Sequence, residues 1–416
     1  MRKVIKLSKP ILVKGVQTTR LSSNLTIDSV SIPFWYEVDN KYGSFLECDA
    51  SDGFVVGVFP YAVRNGINIE VDGMVSEKLL YNLNNYANEV TALLLSGRKI
   101  TVSAAKVTNS HRKGLGVFTG FSAGIDSFCT VVDHRNASVG YRITHFLFNN
   151  IGSHGKNEHS ERLFNERYKR LEKQAAELGF EIIKVNSNLD SVLCMDFELT
   201  HTFRNTSVAL AMQAYCSKFL YSSAVHYTDI SFRQLESSAY LDPILLPLLS
   251  TESIDCISSG SQHTRFGKTE IVSTFMQSQK SLDVCVVPTD SNFINCSRCW
   301  KCLRTELSLD ILGKLQNYDR VFSLPDFYTL RDLYVGVVLS SNEPLMKEIA
   351  TQIKNRDYPI STLSYIIAHL PNKFTNFLMN EATWYPGASK RQLAFILMKR
   401  TVKYLVGPTK YNPPSW

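Results

Sequence analysis

Two stretches of the sequence hold residues whose types and spacing suit chemistry. The first, Ser122–Ser127, reads SAGIDS; it follows an apolar run that ends at Phe121 and precedes an amphipathic one. A strand that turns tightly into a helix presents free backbone N–H groups and the positive end of the helix dipole, and small side chains let an anion approach them. The stretch therefore predicts a phosphate site. The alternative is an ordinary strand–turn–helix corner.

The second stretch is a group of cysteines. Cys296, Cys299 and Cys302 form a Cys-x2-Cys-x2-Cys run, and Cys285 lies upstream at the end of an apolar segment. Thiolates at this spacing on a turn converge on one ion, so we expect the four cysteines to bind one Zn²⁺. The alternatives are an iron–sulfur cluster, which takes the same four ligands, and thiols that lie together by coincidence. Four thiolates leave no open position for water, so we expect a structural metal that clips this segment onto the domain carrying the first stretch.

Apolar runs and amphipathic segments alternate along the chain from Gly116 to about Leu315. The expected strands include Thr144–Phe148, Glu181–Val185 and Tyr221–Tyr227, and the expected helices include 156–178 and 208–219. This alternation predicts parallel pairing and an α/β fold with a doubly wound sheet. Ligands bind such sheets at the carboxyl ends of the strands. We therefore expect the site to be lined by the loops after Phe121, Phe148, Val185 and Tyr227.

The flanking parts of the chain differ from this middle part. The first 110 residues indicate short strands between turn signals, and Lys3–Leu7, Ser31–Glu37 and Phe54–Phe59 are the clearest runs. Ser76 is expected to cap a helix. The end of the chain indicates helices, and the last of them is basic. We expect three domains: a β-rich accessory domain at 1–110, the α/β domain at 111–320, and a helical domain at 321–416.

Composition limits the class of protein. Of the 416 residues, 44% are hydrophobic and 20% are charged, as in soluble globular proteins. The net charge of +7 is mild; it suits phosphate-bearing ligands and does not require nucleic acid. The sequence holds no apolar run of membrane-spanning length and no signal-peptide core, so we expect a cytoplasmic protein. Nine cysteines in such a chain favour metal binding or buried thiols over disulfides.

The order Ser-x-Gly-x-Asp-Ser resembles the pyrophosphate loop of the N-type ATP pyrophosphatases (PP-loop, HUP-like fold), which is usually Ser-Gly-Gly-x-Asp-Ser. Ser122, Gly124, Asp126 and Ser127 match, and Ala123 replaces the first glycine. If that position needs a positive φ, alanine costs roughly 1 kcal/mol there. Taken with the cysteine group, the loop resembles the 7-cyano-7-deazaguanine synthase (QueC) family.

The resemblance covers roughly residues 116–315 and extends to three more features. They are Phe203-Arg204-Asn205, the segments Tyr227–Asp229 and Tyr240–Asp242, and Phe266–Glu270. It implies nucleotide binding by Ser122, Ala123, Gly124, Ile125, Asp126, Ser127 and Phe148. It implies catalytic roles for Asp126, Ser127, Arg204 and Lys268, and substrate binding by Asn205, Tyr227, Asp229, Tyr240 and Asp242. Within these sets, Asp126 orients the loop or holds Mg²⁺, and Arg204 and Lys268 neutralise the leaving pyrophosphate. Asp242 would accept from a guanine-like N–H pair.

The family transfers AMP from ATP to the carboxylate of 7-carboxy-7-deazaguanine and releases pyrophosphate. Ammonia then forms an amide, which is dehydrated to a nitrile. The resemblance therefore implies an ATP-dependent ligase with Mg²⁺ and Zn²⁺. Two extra domains and the apolar stretch Pro243–Leu249, expected at the mouth of the site, favour an acceptor amine on a partner protein. Proteins of this build occur in bacterial antiviral systems, and a homodimer is compatible with the sequence.

Two other functions remain open at this point. A PP-loop enzyme that modifies tRNA, such as a thiolase, needs a cysteine pair near the ATP site and a basic RNA surface. A catalytically silent nucleotide-binding scaffold needs only the loop. Asp126, Ser127, Arg204 and Lys268 are intact, which favours an active enzyme.

Overall fold

The computed structural model describes residues 3–111, 114–155, 157–286, 293–383, 385 and 389–406. The chain forms two compact units, and the boundary falls between Thr264 and Arg265. This division differs from the three domains expected from the sequence. Residues 1–110 share one sheet and one hydrophobic core with the α/β segment, because residues from both contribute to each. Residues 265–320, expected in the α/β domain, belong instead to the second unit.

The first unit is α/β and is built on a large sheet, which has eleven strands within the described residues. Strands β1 to β11 are Val4–Leu7, Ile11–Lys14, Thr18–Ile27, Val30–Asp39, Asn68–Ser76, Val102–Thr108, Gly116–Gly120, His145–Asn150, Glu181–Ser187, Cys216–Ser222 and Asp255–Ser259. Their order is β11-β10-β7-β8-β9-β4-β3-β1-β5-β6, with β2 paired to β3. The run from β11 to β9 is parallel throughout. The α/β prediction is thereby confirmed.

Eight α-helices cover this sheet in the described chain. Helices α1 to α8 are Asp52–Asn65, Glu77–Asn82, Asn88–Leu95, Ile125–His134, Asn157–Glu177, Leu189–Leu193, Phe197–Ala211 and Asp242–Leu248. Ser76 caps α2 by accepting a hydrogen bond from the Leu79 amide at 3.0 Å, as predicted. The helix predicted at 208–219 lies earlier, as α7, and the strand predicted at Tyr221–Tyr227 is β10 at Cys216–Ser222.

An antiparallel junction joins the N-terminal strands to the parallel ones. Strand β4 pairs with β9 through Tyr36 opposite Ser187. The side chain of Asn188 extends this pairing: it accepts from the Trp35 amide at 3.0 Å and donates to the Pro33 carbonyl at 2.7 Å. The two parts of the chain are therefore one folded sheet, which a change in sequence pattern near residue 110 does not reveal.

The prediction of a strand at Phe54–Phe59 is wrong, because this run lies in helix α1. Almost every residue of α1 from Asp52 to Val63 is buried. A helix buried on all sides lacks the polar stripe that would show a helical period, so its sequence resembles that of a buried strand. Gly53 permits close packing on α7, since a Cβ there would lie 2.7 Å from the Ser207 carbonyl oxygen.

The second unit is helical over its described residues, as predicted for the end of the chain. Helices α9 to α16 are Arg265–Ser273, Ser278–Ser281, Trp300–Ile311, Leu324–Ser340, Pro344–Asn355, Thr362–Ala368, Asn372–Thr383 and Lys390–Val406. Within the described part of the chain, no helix combines the length and the apolar character needed to cross a bilayer.

Candidate active site and metal centre

Strand β7 lies at the point where the sheet reverses its direction of growth. The chain passes from β7 to β8 and β9 on one side, and it later adds β10 and β11 on the other side. At such a switch point the connecting helices leave in opposite directions and open a crevice at the carboxyl ends of the strands. The stretch Ser122–Ser127 leaves β7 at this end and leads into α4.

The backbone of this loop is unusual at Ala123. This residue is fully buried and has φ of 58°, in the left-handed region that favours glycine. Gly124 follows with an extended conformation as the N-cap of α4. The Ser127 hydroxyl donates to the Gly124 carbonyl at 3.1 Å, while Ser122 is exposed. The first turn of α4, which contains Asp126, thus follows directly after the strained backbone at Ala123.

Polar side chains follow the neighbouring strands at the same edge. Asn149, near the end of β8, is almost buried and donates from its amide to the Asn205 side-chain oxygen at 3.0 Å. Its own side-chain oxygen has no hydrogen-bond partner among the described residues. Such an acceptor is rare in a folded protein unless a ligand or water serves it. Phe148, predicted to bind the nucleotide, is buried and stacks on Phe164 with ring centroids 5.0 Å apart.

Arg204, expected to neutralise pyrophosphate, is surrounded by protein acceptors. Its guanidinium is fully buried and donates to the Thr200 hydroxyl at 2.7 Å and to the Asp190 carboxylate at 2.8 Å. It also donates to the carbonyls of Ile151 at 2.6 Å and Met195 at 2.8 Å. In this conformation Arg204 holds together the segments that follow β8 and β9. Its contact with pyrophosphate stays a prediction.

A chain of polar groups that sequence reasoning missed begins at His201, on the same helix. Its Nδ1 lies 2.6 Å from the Tyr221 hydroxyl, and its Nε2 lies 3.2 Å from the Ser237 hydroxyl. Burial lowers the pKa of His201 to about 4, so the ring is neutral near pH 7. Desolvation, followed by the carboxylates of Asp242, Glu198 and Asp126, raises the pKa of Tyr221 well above its ordinary value. A neutral imidazole therefore accepts from Tyr221 and donates to Ser237.

The residues predicted to bind the substrate are found in different environments. Asn205 donates to the His201 carbonyl at 2.8 Å and faces Asn149. Tyr227 and Asp229 form one exposed turn, and Tyr240 is partly buried. Asp242 is fully buried and accepts from the Thr202 hydroxyl at 2.7 Å. It therefore lies in the polar chain around Tyr221 and not on an open loop.

The prediction that the apolar stretch Pro243–Leu249 forms a loop at the mouth of the site is wrong. The stretch lies almost entirely in helix α8, with Pro243 in the first turn. Leu245, Leu246 and Leu249 are fully buried in the core of the first unit. Pro243 suits the first helical turn, so the sequence pattern fits a helix that packs inward. The leucine side chains at these three positions therefore offer no apolar surface to a partner.

The four predicted metal ligands come together in the second unit. The sulfur atoms of Cys285, Cys296, Cys299 and Cys302 all lie within 4.8 Å of one another. The Cys296–Cys302 distance is 3.8 Å and the Cys299–Cys302 distance is 3.4 Å. Tetrahedral zinc thiolates have Zn–S bonds of about 2.3 Å and hence sulfur separations of roughly 3.8 Å. The donor set therefore fits a metal such as zinc, as predicted.

The turn between the cysteines is built for this convergence. Ser297 has a left-handed φ of 53°, and the Cys299 amide donates to the Cys296 sulfur at 3.2 Å. Asn295, which sequence reasoning missed, is fully buried and fixes the other arm: it accepts from the amides of Val284 at 2.8 Å and Cys285 at 3.1 Å. The position of Asn295 directly before Cys296 is the one feature of the sequence that could have indicated its role at the metal centre.

In the absence of a metal, local electrostatics favours a thiolate at two of the four cysteines, while the pKa values of Cys285 and Cys302 are raised, Cys285 chiefly by hydrogen bonds within the cluster and Cys302 chiefly by burial. Cys299 is the N-cap of α11, where the helix dipole stabilises negative charge. Hydrogen bonds from neighbouring thiols, chiefly Cys285, lower the pKa of Cys299 and bring that of Cys296 to about 7. All four cysteines lie in the second unit, so a metal would clip the Cys285 segment to α11. The expectation that it clips this segment onto the domain carrying the Ser122–Ser127 loop is wrong.

Lys268, the remaining predicted catalytic residue, lies in α9 of the second unit and is fully buried. Its role at the phosphate loop stays a prediction. No family model, no curated protein and no solved structure matches this chain.

Proposed function

We propose that this chain is an ATP-dependent ligase that transfers AMP to a carboxylate and then forms a carbon–nitrogen bond. The observation that supports it most is the position of the Ser122–Ser127 loop. Its small residues leave β7 at the switch point of the sheet and open the first turn of α4. A helix start at this place favours phosphate. The resemblance of the loop to the ATP pyrophosphatases then supports cleavage between the α and β phosphates.

The reaction follows from this arrangement. An oxygen of the substrate carboxylate attacks the α-phosphorus, and the bond from that phosphorus to the bridging oxygen breaks. Pyrophosphate leaves toward the N–H groups of the loop and the hydroxyls of Ser122 and Ser127. Asp126, on the first turn of α4, would orient the loop or hold Mg²⁺ there. An amine then attacks the acyl carbon, and AMP leaves. With ammonia the product is an amide, whose dehydration gives a nitrile.

The Tyr221–His201–Ser237 chain supplies proton transfer in this proposal. The attacking amine becomes cationic and must lose a proton as the new bond forms. Tyr221 lies in β10, the parallel neighbour of β7, and its hydroxyl is hydrogen-bonded to the neutral His201 ring. A neutral imidazole accepts one proton and passes another to Ser237 through its second nitrogen, and Ser237 hands its own proton to the Glu198 carboxylate, which lies 3.5 Å from its hydroxyl. These residues would remove the amine proton through the tyrosine hydroxyl.

The proposed substrate is a 7-carboxy-7-deazaguanine-like carboxylate, and the acceptor is ammonia or an amine on a partner protein. The burial of Leu245, Leu246 and Leu249 removes one of the two reasons for a protein acceptor. The other reason still stands: the chain has residues before and after the α/β segment that the resemblance does not explain. We also propose that the metal of the four-cysteine centre is Zn²⁺ with a structural role, since four thiolates complete a tetrahedron.

The test uses substrate labelled with ¹⁸O in its carboxylate. Full-length protein is incubated with ATP, Mg²⁺, 7-carboxy-7-deazaguanine and ammonia, and mass spectrometry follows AMP and the organic product. One ¹⁸O atom in AMP, with pyrophosphate as the second product, is expected because the attacked oxygen leaves with the phosphorus. Formation of ADP and phosphate, or AMP without label, contradicts the proposal.

A second arm of the experiment identifies the acceptor. Ammonia is replaced by the proteins encoded beside this chain, and intact-protein mass spectrometry measures any added mass. A mass equal to the substrate acyl group on one of these proteins supports a protein acceptor. Rapid conversion with ammonia to the free nitrile, with no protein modified, identifies ordinary nitrile synthesis.

A further inference from the structure

A second group of metal-ligating side chains lies in the first unit, apart from the four-cysteine centre. Cys129 and Asp133 are four residues apart on α4, so they share one face of that helix. His263 comes from the turn after β11 and meets them there. The His263 Nε2 lies 3.0 Å from the Asp133 Oδ2, and the Cys129 sulfur lies 3.8 Å from the same oxygen.

These distances are close to those between ligands of one tetrahedral ion. All three ligand atoms lie within 4.8 Å of one another. With Zn–S of about 2.3 Å and Zn–N and Zn–O of about 2.0 Å, ligand atoms are separated by roughly 3.3–3.5 Å. The distance from the Cys129 sulfur to the Asp133 Oδ2 exceeds this range by only a few tenths of an ångström, so a small shift of the Cys129 side chain toward that oxygen would match it. An ordinary histidine–aspartate ion pair does not require a thiol next to the shared carboxylate oxygen, and here one is present.

We propose that Cys129, Asp133 and His263 form a second metal site in this protein and that it takes Zn²⁺. One thiolate and one imidazole exclude Mg²⁺ and Ca²⁺, which require oxygen ligands. Three protein ligands leave the fourth position to a water molecule, which can enter because Asp133 and His263 are partly exposed. The side-chain nitrogen of Gln262 donates to the Asp133 Oδ2 at 3.1 Å and lies 3.2 Å from the His263 Nε2. Such outer groups orient the ligands of a metal.

The site would join two segments that border the crevice. Helix α4 begins with the Ser122–Ser127 loop, and His263 follows the turn in which the Ser261 carbonyl accepts from the Tyr227 amide at 3.0 Å. A metal at this point ties the helix behind the loop to the chain that holds Tyr227. We therefore expect it to set the position of α4 and to contribute to the stability of the first unit.

The test is a count of metal. Protein is purified without chelator, passed over a metal-scavenging resin, and analysed by inductively coupled plasma mass spectrometry for zinc per chain. Two zinc ions per wild-type chain are expected. Asp133→Asn and His263→Gln should each carry one, as should Cys299→Ser, which disrupts the other centre. One zinc in the wild type, or two zinc ions retained in both Asp133→Asn and His263→Gln, would overturn the proposal.

Matched controls and a second readout separate loss of metal from loss of fold. Asp255→Asn, on an exposed carboxylate at the start of β11, should keep both ions. Circular dichroism should show folded protein for every variant counted. In the Co²⁺-loaded Cys299→Ser protein, the thiolate-to-cobalt charge-transfer absorption of the Cys129 site should persist and should disappear on adding Asp133→Asn. Identical spectra for these two proteins would contradict the assignment. Because the count needs no ATP, it stands or falls separately from the ligase activity.

Discussion

The Ser122–Ser127 loop and the four-cysteine centre share one local feature and differ in what completes it. Each leads a strained turn into the N-terminus of a helix, with a left-handed residue that is not glycine: Ala123 in one and Ser297 in the other. At the cysteine centre the chain itself supplies every corner of a tetrahedron. At the loop, Ser122 is exposed and the Asn149 side-chain oxygen has no hydrogen-bond partner among the described residues. The first arrangement is complete once an ion is bound, whereas in the second the groups at the loop leave hydrogen-bonding capacity for the ligand that we propose there.

The two turns also differ in what holds their left-handed residue in place. A left-handed residue costs about 1–2 kcal/mol wherever it occurs, so something nearby must hold it there. Protein groups hold the turn around Ser297: its hydroxyl accepts from the Ser323 amide at 2.8 Å, and Arg298 pairs with Asp326 at 2.6 Å. Ala123 has only a methyl group in the core. The conformation of the loop therefore has more to gain from a bound phosphate.

The largest expected effect is loss of the four-cysteine centre. Cys299→Ser removes one of four thiolates, and structural zinc binding is worth about 10 kcal/mol or more that is coupled to folding. We expect the variant to lose the zinc of this centre and to unfold the second unit at much lower denaturant concentration. Metal analysis and urea unfolding measure both. Cys194→Ser, at an exposed cysteine outside the cluster, is the control. Wild-type protein that is fully stable with no metal would refute a structural role.

The next effect concerns activity at the loop. Asp126→Asn keeps the shape of the side chain and removes its charge, so we expect AMP formation to fall about 10²-fold through misplacement of the reacting groups. Stability should change by only about 0.5 kcal/mol, the worth of one carboxylate in a first helical turn. Product assays and urea unfolding test this together. Asp255→Asn, at the amino-terminal end of β11 and thus the opposite edge of the sheet, should retain activity. Equal losses in both variants would contradict the assignment of the site.

The features that the sequence predicts are those whose residues lie close together along the chain. The Ser122–Ser127 loop and the cysteine centre lie mostly within short segments, so types and spacing were enough to predict that the loop leads into a helix and that the cysteines converge. Phosphate binding by the loop stays a prediction. The partners of Arg204 and the pairing of Tyr36 with Ser187 join residues far apart in the chain. No local period records such contacts. The same reason hid the His201–Tyr221 contact, in which one residue lies on a helix and the other on a strand.

Helix α1 shows a second limit, which concerns environment and not distance. Periodicity reveals a helix only when one face meets water, and this helix is enclosed by the sheet and by α7. The prediction of a loop at Pro243–Leu249 is wrong for a related reason, because its leucine side chains are buried in the core and its helix shows no polar face. Burial is decided by the completed fold. The position of the active site at this edge of the sheet stays a prediction, and the expected residues there did not include the contact of His201 with Tyr221.

The polar chain beside the loop predicts a dependence of stability on pH. Burial lowers the pKa of His201 to about 4 in the folded state, against about 6.5 in the unfolded chain. As pH falls below 6.5, the unfolded state takes up the proton first, so the stabilising contribution is complete above that pH and is lost toward pH 4. The loss by pH 4 is about 3 kcal/mol. Urea unfolding at several pH values should show a shallower slope for His201→Gln than for the wild type. Parallel curves would mean that His201 is not held neutral by burial.

The smallest effect compares the two strained turns directly. Ala123→Gly relieves about 1 kcal/mol of left-handed strain but removes a buried methyl worth about 0.8 kcal/mol and loosens the unfolded chain, so stability should change by less than about 1 kcal/mol. Ser297→Gly relieves the same strain but leaves the Ser323 amide without its acceptor, at a cost of about 1–3 kcal/mol. We therefore expect Ser297→Gly to be the less stable protein by about 1–2 kcal/mol when both are unfolded in urea with zinc present. Ala123→Gly should also keep its activity, because glycine adopts the same φ. If Ser297→Gly were as stable as Ala123→Gly, the protein groups around the cysteine turn would not be what holds it, and the contrast between a completed and an open site would lose its energetic basis.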